Sequence, residues 1–443
     1  MADTKFNYVT IEDLKGKIDE LGLKNLPMAD DVSCLADTVK IGETVVPNRI
    51  AIQPMEGCDG TATGEPDELT LRRYDRFAES GAGLVWAEAV AVVEEGRANP
   101  RQLYITEKNI DAFKKMNDRI RELSIKKNGF APIIIMQATH SGRYSKPTGT
   151  PAPLIAYNNP LFEGENPIDK SRIITDDKLF ALEEQFGKTA KMAEEAGFDG
   201  IDVKCCHRYL NSELLSAYTR EGAFGGSFEN RTRLLRNGIK NATDATSKDF
   251  IVTTRMNVYD GFEYPYGWGV REGSGKDIDL TEPLKLIDII HNELGVKMVD
   301  VTIGNPYVNS FVNRPADATA ALSGEHPLIG VDRMYACVGA VQKAFPELVV
   351  MGSGVSYMRQ FSGNLAAGAI NASMMTMQGF GREAFAYPQF ANDLIHKGAM
   401  EKNMCCITCG KCTELMRAGG VAGCVIKDSE VYMPLYKQYC MNK

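Results

Sequence analysis

Eight short apolar runs, each ending abruptly in Gly, Pro or a polar residue, punctuate the middle of the chain. They are Ile50-Ala-Ile-Gln-Pro-Met, Gly83-Leu-Val-Trp-Ala-Glu, Pro132-Ile-Ile-Ile-Met-Gln, Gly200-Ile-Asp-Val-Lys, Phe250-Ile-Val-Thr-Thr-Arg, Met298-Val-Asp-Val-Thr, Leu348-Val-Val-Met-Gly and Ile370-Asn-Ala-Ser-Met-Met. Continuous rather than alternating apolar residues suit parallel strands covered on both faces. Helical spacing fills the intervals. Its clearest stretch follows Thr175, where Asp176 and Asp177 favour a helix N-terminus. Leu182, Phe186, Ala190, Ala193 and Ala196 then recur at helical spacing, and Gly197 is the stop. Eight β–α alternations predict an α/β fold, a (β/α)8 TIM barrel with enlarged loops. The expected division is an N-terminal extension over 1–37, the barrel over 38–395 and a small C-terminal segment over 396–443.

In such barrels the active site lies at the C-terminal ends of the strands, and phosphate often sits at the loops after strands seven and eight. Those loops read Gly352-Ser-Gly354 and Gly379-Phe-Gly381-Arg382. Glycines let backbone N–H groups approach phosphate oxygens, and an arginine adds a charge-assisted fork. No G-x-G-x-x-G follows a strand, so a Rossmann dinucleotide domain is not expected.

Charge and cysteine content narrow the classes. With 50 basic and 58 acidic residues among 443, the net charge of -8 argues against nucleic acid and anionic membranes as partners. No apolar run is long enough to span a bilayer. The opening Met1-Ala-Asp-Thr-Lys lacks the features of a signal peptide, and 11 cysteines then point to a reducing cytoplasm, an anaerobic one if they hold an iron–sulfur cluster. Four of these form Cys406-x2-Cys409-x2-Cys412 and, further on, Cys424. A tight run of three with one distant partner suits a [4Fe–4S] cluster. Zinc ribbons usually show two separate C-x2-C pairs, so zinc ranks second.

The strand ends resemble the Old Yellow Enzyme family of FMN-dependent ene-reductases, in particular the branch of 2,4-dienoyl-CoA reductase and 2-enoate reductase. The resemblance runs from about Thr38 to Cys424 and rests on several stretches in a shared order. They are Asn48-Arg-Ile-Ala-Ile-Gln-Pro-Met55, Glu88-Ala89, Gln137-x-x-His140-x-Gly-Arg143, His207-x-Tyr209-Leu-x-x-Glu, Phe224-Gly-Gly-Ser-x-Glu-Asn-Arg231, Arg255 and Gly381-Arg382. It implies an FMN held by Pro54, Met55, Glu56, Ala89, Gln137, Arg255, Gly352, Gly354, Gly381 and Arg382. The chain also departs from the family. It reads Lys204-Cys-Cys-His207 where His-x-x-His or His-x-x-Asn is common, and Glu56 where many members have Thr or Cys. Gly304-Asn-Pro306-Tyr307 stands where 2,4-dienoyl-CoA reductases place a histidine that assists the proton donor. The cysteine run is one residue shorter than usual, which leaves Cys405 as a substitute ligand for Cys406.

The resemblance implies reduction of an activated C=C bond. Tyr209 is the expected proton donor, a phenol protonated at neutral pH. His207 and Lys204 are the expected hydrogen-bond donors to the carbonyl of a small unsaturated substrate, with a substrate carboxylate as the other role for Lys204. His140 is expected to be a structural or flavin-edge residue. The larger relatives continue with FAD- and NAD(P)H-binding domains, whereas 19 residues follow Cys424 here. Electrons are therefore expected from a separate flavoprotein or ferredoxin through the cluster, or from NAD(P)H directly. An amine dehydrogenase and a non-catalytic electron-transfer subunit are the alternatives, and a homo-oligomer is left open.

Overall fold

The computed structural model describes residues 4–317, 319 and 323–441. A two-stranded antiparallel hairpin, β1 (Val39–Ile41) and β2 (Thr44–Val46), precedes eight strands: β3 (Ile50–Ile52), β4 (Leu84–Ala91), β5 (Ile133–Thr139), β6 (Gly200–Val203), β7 (Ile251–Tyr259), β8 (Met298–Ile303), β9 (Val349–Gly352) and β10 (Met377–Phe380). All eight pair in parallel and in sequence order. The barrel closes where Gln378 of β10 faces Ile50 of β3. Helices cover the outside, so the strands are buried on both faces and their apolar runs need not alternate.

The helix after the third barrel strand forms as its sequence dictates. Thr175 caps Asp176–Glu195, its Oγ1 accepting from the Lys178 N–H at 3.3 Å. Leu179, Leu182, Phe186, Ala190 and Ala193 face the barrel, each large side chain contributing roughly 1.5–3 kcal/mol by burial. The eighth strand differs from expectation. Ile370 and Asn371 end a helix, Ser362–Asn371, whose Leu365, Ala366 and Ala369 repeat at helical spacing. The true strand, Met377-Gln-Gly-Phe, carries a buried glutamine and a glycine, which hid it in a search for apolar runs.

The β1–β2 hairpin is a second feature outside the expected pattern. Val39, Ile41 and Val46 pack on Ala51, Leu84, Trp86, Met298 and Met377 and fill the N-terminal mouth of the barrel. Ahead of it, the Ile11–Glu20 helix starts with a Thr10/Asp13 capping box and buries Leu14 and Ile18. Asn25 fixes this extension to the outer helices through two hydrogen bonds to Asp332, at 2.8 and 3.0 Å.

At the other end of the chain, helices Lys411–Arg417 and Ser429–Tyr436 enclose a small core of Leu415, Val421, Val425 and Tyr432. Arg72 grips Asp428 with two bonds of 2.7 and 2.9 Å, and the Ala422 N–H donates to Gly57 O at 2.7 Å. The segment is thereby laid over the loop that follows β3, at the C-terminal end of the barrel. No helix among the described residues is long and apolar enough to cross a membrane.

Candidate active site

A cavity open to solvent lies where the strand ends meet the C-terminal segment. Pro54, Met55, Glu56, Ala89, Gln137, Arg255, Gly354, Gly381 and Arg382 all line it, as do Lys204, His207 and Tyr209. Gly352 does not. It is the last residue of β9, its carbonyl accepting from Gln378 Nε2 at 3.1 Å, and an added Cβ would come within 2.7 Å of Met375 Cε. That glycine admits a core methionine below the cavity.

Two buried carboxylates support the floor, and each interrupts an otherwise apolar strand. Asp202 of β6 accepts from Gln137 Nε2 at 2.7 Å, Trp86 Nε1 at 2.9 Å and the Arg255 N–H at 2.7 Å. Gln137 therefore has its Oε1 left for the cavity. Asp300 of β8 accepts from Gln53 Nε2 at 3.1 Å and lies 2.9 Å from Arg255 Nε, at ion-pair distance but without an in-line N–H. Burial pushes Asp202 up to about 6 and Asp300 up to about 7, against the hydrogen bonds and cations that favour their charged forms. Gln53 Oε1 is buried without a partner.

The wall after β6 is a strained turn. His207 and Arg208 both adopt left-handed backbone, with φ of +61° and +57°, a conformation costly for residues with a Cβ. Asn257 Oδ1 accepts the His207 N–H at 3.2 Å, and Arg208 is locked beneath by Asp260 at 2.9 Å. The turn sends the His207 ring into the cavity. Burial there holds its pKa well below the ordinary value, reinforced by Arg255, Lys204 and Arg314, so the ring is neutral. Lys204 is itself buried, its Nζ 3.6 Å from the centre of the Tyr209 ring. Burial lowers its pKa, while Cys206 and Glu56 act the other way. Burial also raises Glu56, which accepts from Asn99 Nδ2 at 2.9 Å.

Tyr209 is 3 % exposed, and its hydroxyl lies 2.6 Å from that of Tyr307. Tyr144 stacks on Tyr307 with ring centres 4.0 Å apart. Asn305 joins the two, receiving the Tyr307 N–H at 2.9 Å and donating to the Tyr144 hydroxyl at 2.9 Å. Burial pushes the Tyr209 phenol well above its ordinary value, so it is protonated at neutral pH.

At the opposite end Gly354, with φ of +81°, and Gly381 bring backbone to the cavity beside Arg382. Arg382 is 8 % exposed and has no hydrogen-bond or ion-pair partner among the described residues. An unpaired, nearly buried guanidinium is costly unless an anion joins it. Arg314 lies near and donates to Thr413 Oγ1 at 2.9 Å. Burial, then the charge of Arg382, lowers the Arg314 pKa to about 10.

Other motif residues serve the frame. Glu88 accepts the Gly57 N–H at 2.7 Å and pairs with buried Arg73, which also holds Asp59. The Nδ1 of His140 accepts the Gly142 N–H at 3.0 Å, and His140 is not on the cavity wall. Arg314, Thr413, Met416 and Arg417 line the cavity although no motif announced them. They come from the loop after β8 and from the C-terminal segment, and only the fold brings those together.

Cys406, Cys409, Cys412 and Cys424 line a second, smaller cavity, which shares Arg382, Phe385 and Cys412 with the first. Backbone N–H groups point at two of the sulfurs, Thr408 to Cys406 at 3.4 Å and Lys427 to Cys424 at 3.3 Å. Among the described residues no three His, Cys, Asp or Glu side chains converge closely enough for one metal ion. The four cysteines surround a space rather than a point. Cys405 faces away, its Sγ donating to Glu401 O at 3.4 Å, so it does not replace Cys406 on this wall.

A closed (β/α)8 barrel whose strand ends set an unpaired arginine, protonated phenol groups and a neutral imidazole around one cavity is the scaffold of an enzyme. The chain matches the NADH:flavin oxidoreductase / NADH oxidase family over residues 35–268, more than half its length, and belongs to that family of FMN oxidoreductases. It is 28 % identical over 260 residues to an NADPH dehydrogenase of Clostridium acetobutylicum, covering 58 % of this chain and 70 % of the relative. Among solved structures it is similar to 2-naphthoyl-CoA reductase in complex with 2-naphthoyl-CoA, at a TM-score of 0.73 and 18 % identity over 89 % of this chain, and it spans 57 % of that protein. The Old Yellow Enzyme homologue of Zymomonas mobilis is matched at a TM-score of 0.62 and 19 % identity, over 83 % of this chain and 94 % of that one.

Proposed function

We propose that this chain is an FMN-dependent ene-reductase that saturates the C=C bond of an α,β-unsaturated carbonyl compound, an enoate or a cyclic enone. The observation that carries this is the protonated phenol of Tyr209 beside the neutral imidazole of His207, on the same cavity wall as Gln137 and Arg255. The residues present fit FMN. Unpaired Arg382 with the backbone of Gly354 and Gly381 suits its phosphate, and the orphaned Gln53 Oε1 and free Gln137 Oε1 suit the N–H edge of its ring. Pro54, Met55, Glu56 and Ala89 line the rest of that wall.

Bound FMN, once reduced, supplies hydride to the substrate β-carbon. The protein does the remainder. His207 offers an N–H to the carbonyl oxygen, where negative charge grows as the bond saturates. Lys204 adds a cation on the same side, and Tyr209 delivers its proton to the α-carbon. Five cations (Lys204, Arg255, Arg314, Arg382 and Arg417) face this cavity against one carboxylate, Glu56. That field repels a protonated amine, which disfavours an amine dehydrogenase. A cavity open to solvent beside Gln137 and Arg255 disfavours a relay subunit with a closed flavin face.

We assign Cys406, Cys409, Cys412 and Cys424 to a [4Fe–4S] cluster, on their shared cavity and the N–H groups aimed at sulfur. Such a cluster carries single electrons from a separate flavoprotein or ferredoxin, the supply we favour over NAD(P)H binding directly. The extension 1–37, flavin barrel 38–395 and cluster segment 396–443 are the working division, and an anaerobic cytoplasm is the expected setting. Anaerobic purification with FMN, iron and sulfide analysis, followed by mixing with enones, enoates and amines, tests all of this. An amine that reduces the flavin, with no enone or enoate reoxidising it, overturns the proposal.

A further inference from the structure

Tyr307 stands in the stretch where the resembled branch has a histidine that this chain lacks, and its hydroxyl is the hydrogen-bond partner of the Tyr209 hydroxyl, at 2.6 Å. At that distance the two hydroxyls share one O–H···O bond, in which either can be the donor. Both phenols line the open cavity, and the two residues differ in overall exposure. Tyr209 is buried, whereas Tyr307 is partly exposed and precedes the exposed Val308. No other hydrogen bond reaches the Tyr209 hydroxyl among the described residues, and Lys204 sits over its ring face rather than at its oxygen. A Tyr209 that has given up its proton therefore meets one protein donor.

On these grounds we infer that Tyr307 is the second member of a proton relay, passing solvent protons to Tyr209 during C=C reduction. The inference rests on the ene-reductase reading above. The balance is simple. Hydride goes to the β-carbon, and the Tyr209 O–H bond breaks as a C–H bond forms at the α-carbon. The Tyr307 O–H proton moves to the Tyr209 oxygen, and water then protonates Tyr307. One hydride and one solvent proton are consumed, and both phenols are regenerated.

The surroundings hold Tyr307 ready for this. The left-handed Gly304, whose carbonyl accepts from Asn257 Nδ2 at 2.8 Å, starts the turn, and Asn305 and the stacked Tyr144 fix the ring. The charged groups facing the pair are mostly cations. The Arg417 guanidinium lies 5.9 Å from the Tyr307 ring centre, and Arg314 interacts with the same phenol. Both favour a transient phenolate there, as Lys204 does at Tyr209. Burial and then the charge of Glu56 oppose it, and together they hold the Tyr307 phenol well above its ordinary pKa.

The test uses FMN-loaded, pre-reduced protein mixed with 2-cyclohexen-1-one in H2O/D2O mixtures. For the parent, the reoxidation rate is expected to bow with deuterium fraction, as two protons in flight require. For Tyr307→Phe it is expected to be linear and slower by up to about 10²-fold, the low end of general-acid losses. A linear parent plot, or a Tyr307→Phe rate and curvature equal to the parent's, overturns the relay. A second readout needs no turnover: in loaded protein with 13Cζ-tyrosine, Tyr307→Phe is expected to move the Tyr209 resonance and its alkaline titration. An unmoved resonance overturns the shared hydrogen bond. Tyr209→Phe separates the two levels, because a parent-like rate in that variant sinks the assigned donor itself, whereas a loss there with a parent-like Tyr307→Phe sinks only the relay.

Discussion

Replacing Arg382 with Met should move two measurements in opposite directions. The side chain is 8 % exposed and unpaired among the described residues, and its charge bears on Arg314. In flavin-free protein, removing it relieves like-charge repulsion on the order of 1 kcal/mol while the Met stem keeps the packing. In flavin-loaded protein the same change removes a charge-assisted phosphate contact of about 1.5–3 kcal/mol, or roughly ten- to hundred-fold in Kd. Urea unfolding of the flavin-free variant should therefore show equal or higher stability, while fluorescence titration shows weaker FMN binding. The stabilisation that saturating FMN confers should shrink by the ratio of the two Kd values. Unchanged FMN affinity would refute the phosphate assignment. Lower stability of the flavin-free variant would show that Arg382 is structural.

Three further outcomes are expected. Burial, helped by Lys178 and opposed by Glu95, depresses the pKa of His140 to about 4, so the unfolded chain takes up this proton first as pH falls. Stability is then lost on acidification, by about 2 kcal/mol between pH 7 and 5, and that loss should be present in the parent's urea curves and missing from those of His140→Asn. Cys424→Ser should lower iron content while leaving FMN bound, since the proposed phosphate cradle belongs to the barrel; full iron retention would remove Cys424 from the proposed ligand set. Lys204→Met should weaken enoates about ten-fold more than cyclic enones if the cation meets a carboxylate, and equal losses would assign it to the carbonyl instead.

The barrel was legible because its strands are covered on both faces and read as apolar runs. The eighth failed for a physical reason: β10 contains Gln378 and Gly379, and the more apolar stretch before it is a helix. The hairpin was invisible because its strands have three residues each. Within the site, residues on strand ends could be placed by order along the chain. Arg314 and Arg417 could not, because they meet only when the C-terminal segment folds back over Gly57. Asp202 and Asp300 did leave a signal, a carboxylate within an apolar parallel strand, which needs buried partners and so points inward to a polar network.

The plugged floor has a kinetic meaning. With Val39, Ile41 and Val46 seated in one mouth of the barrel, small molecules reach the strand ends from the other. A nicotinamide reductant and an organic acceptor would then queue for one opening, each leaving before the other enters. Initial-rate plots for that traffic are parallel lines, and excess acceptor inhibits by holding the doorway. Electrons entering through the cysteine-lined wall would not wait in that queue. A protein donor at that wall would lift the acceptor inhibition, so the presence of that inhibition reports which supply the molecule uses.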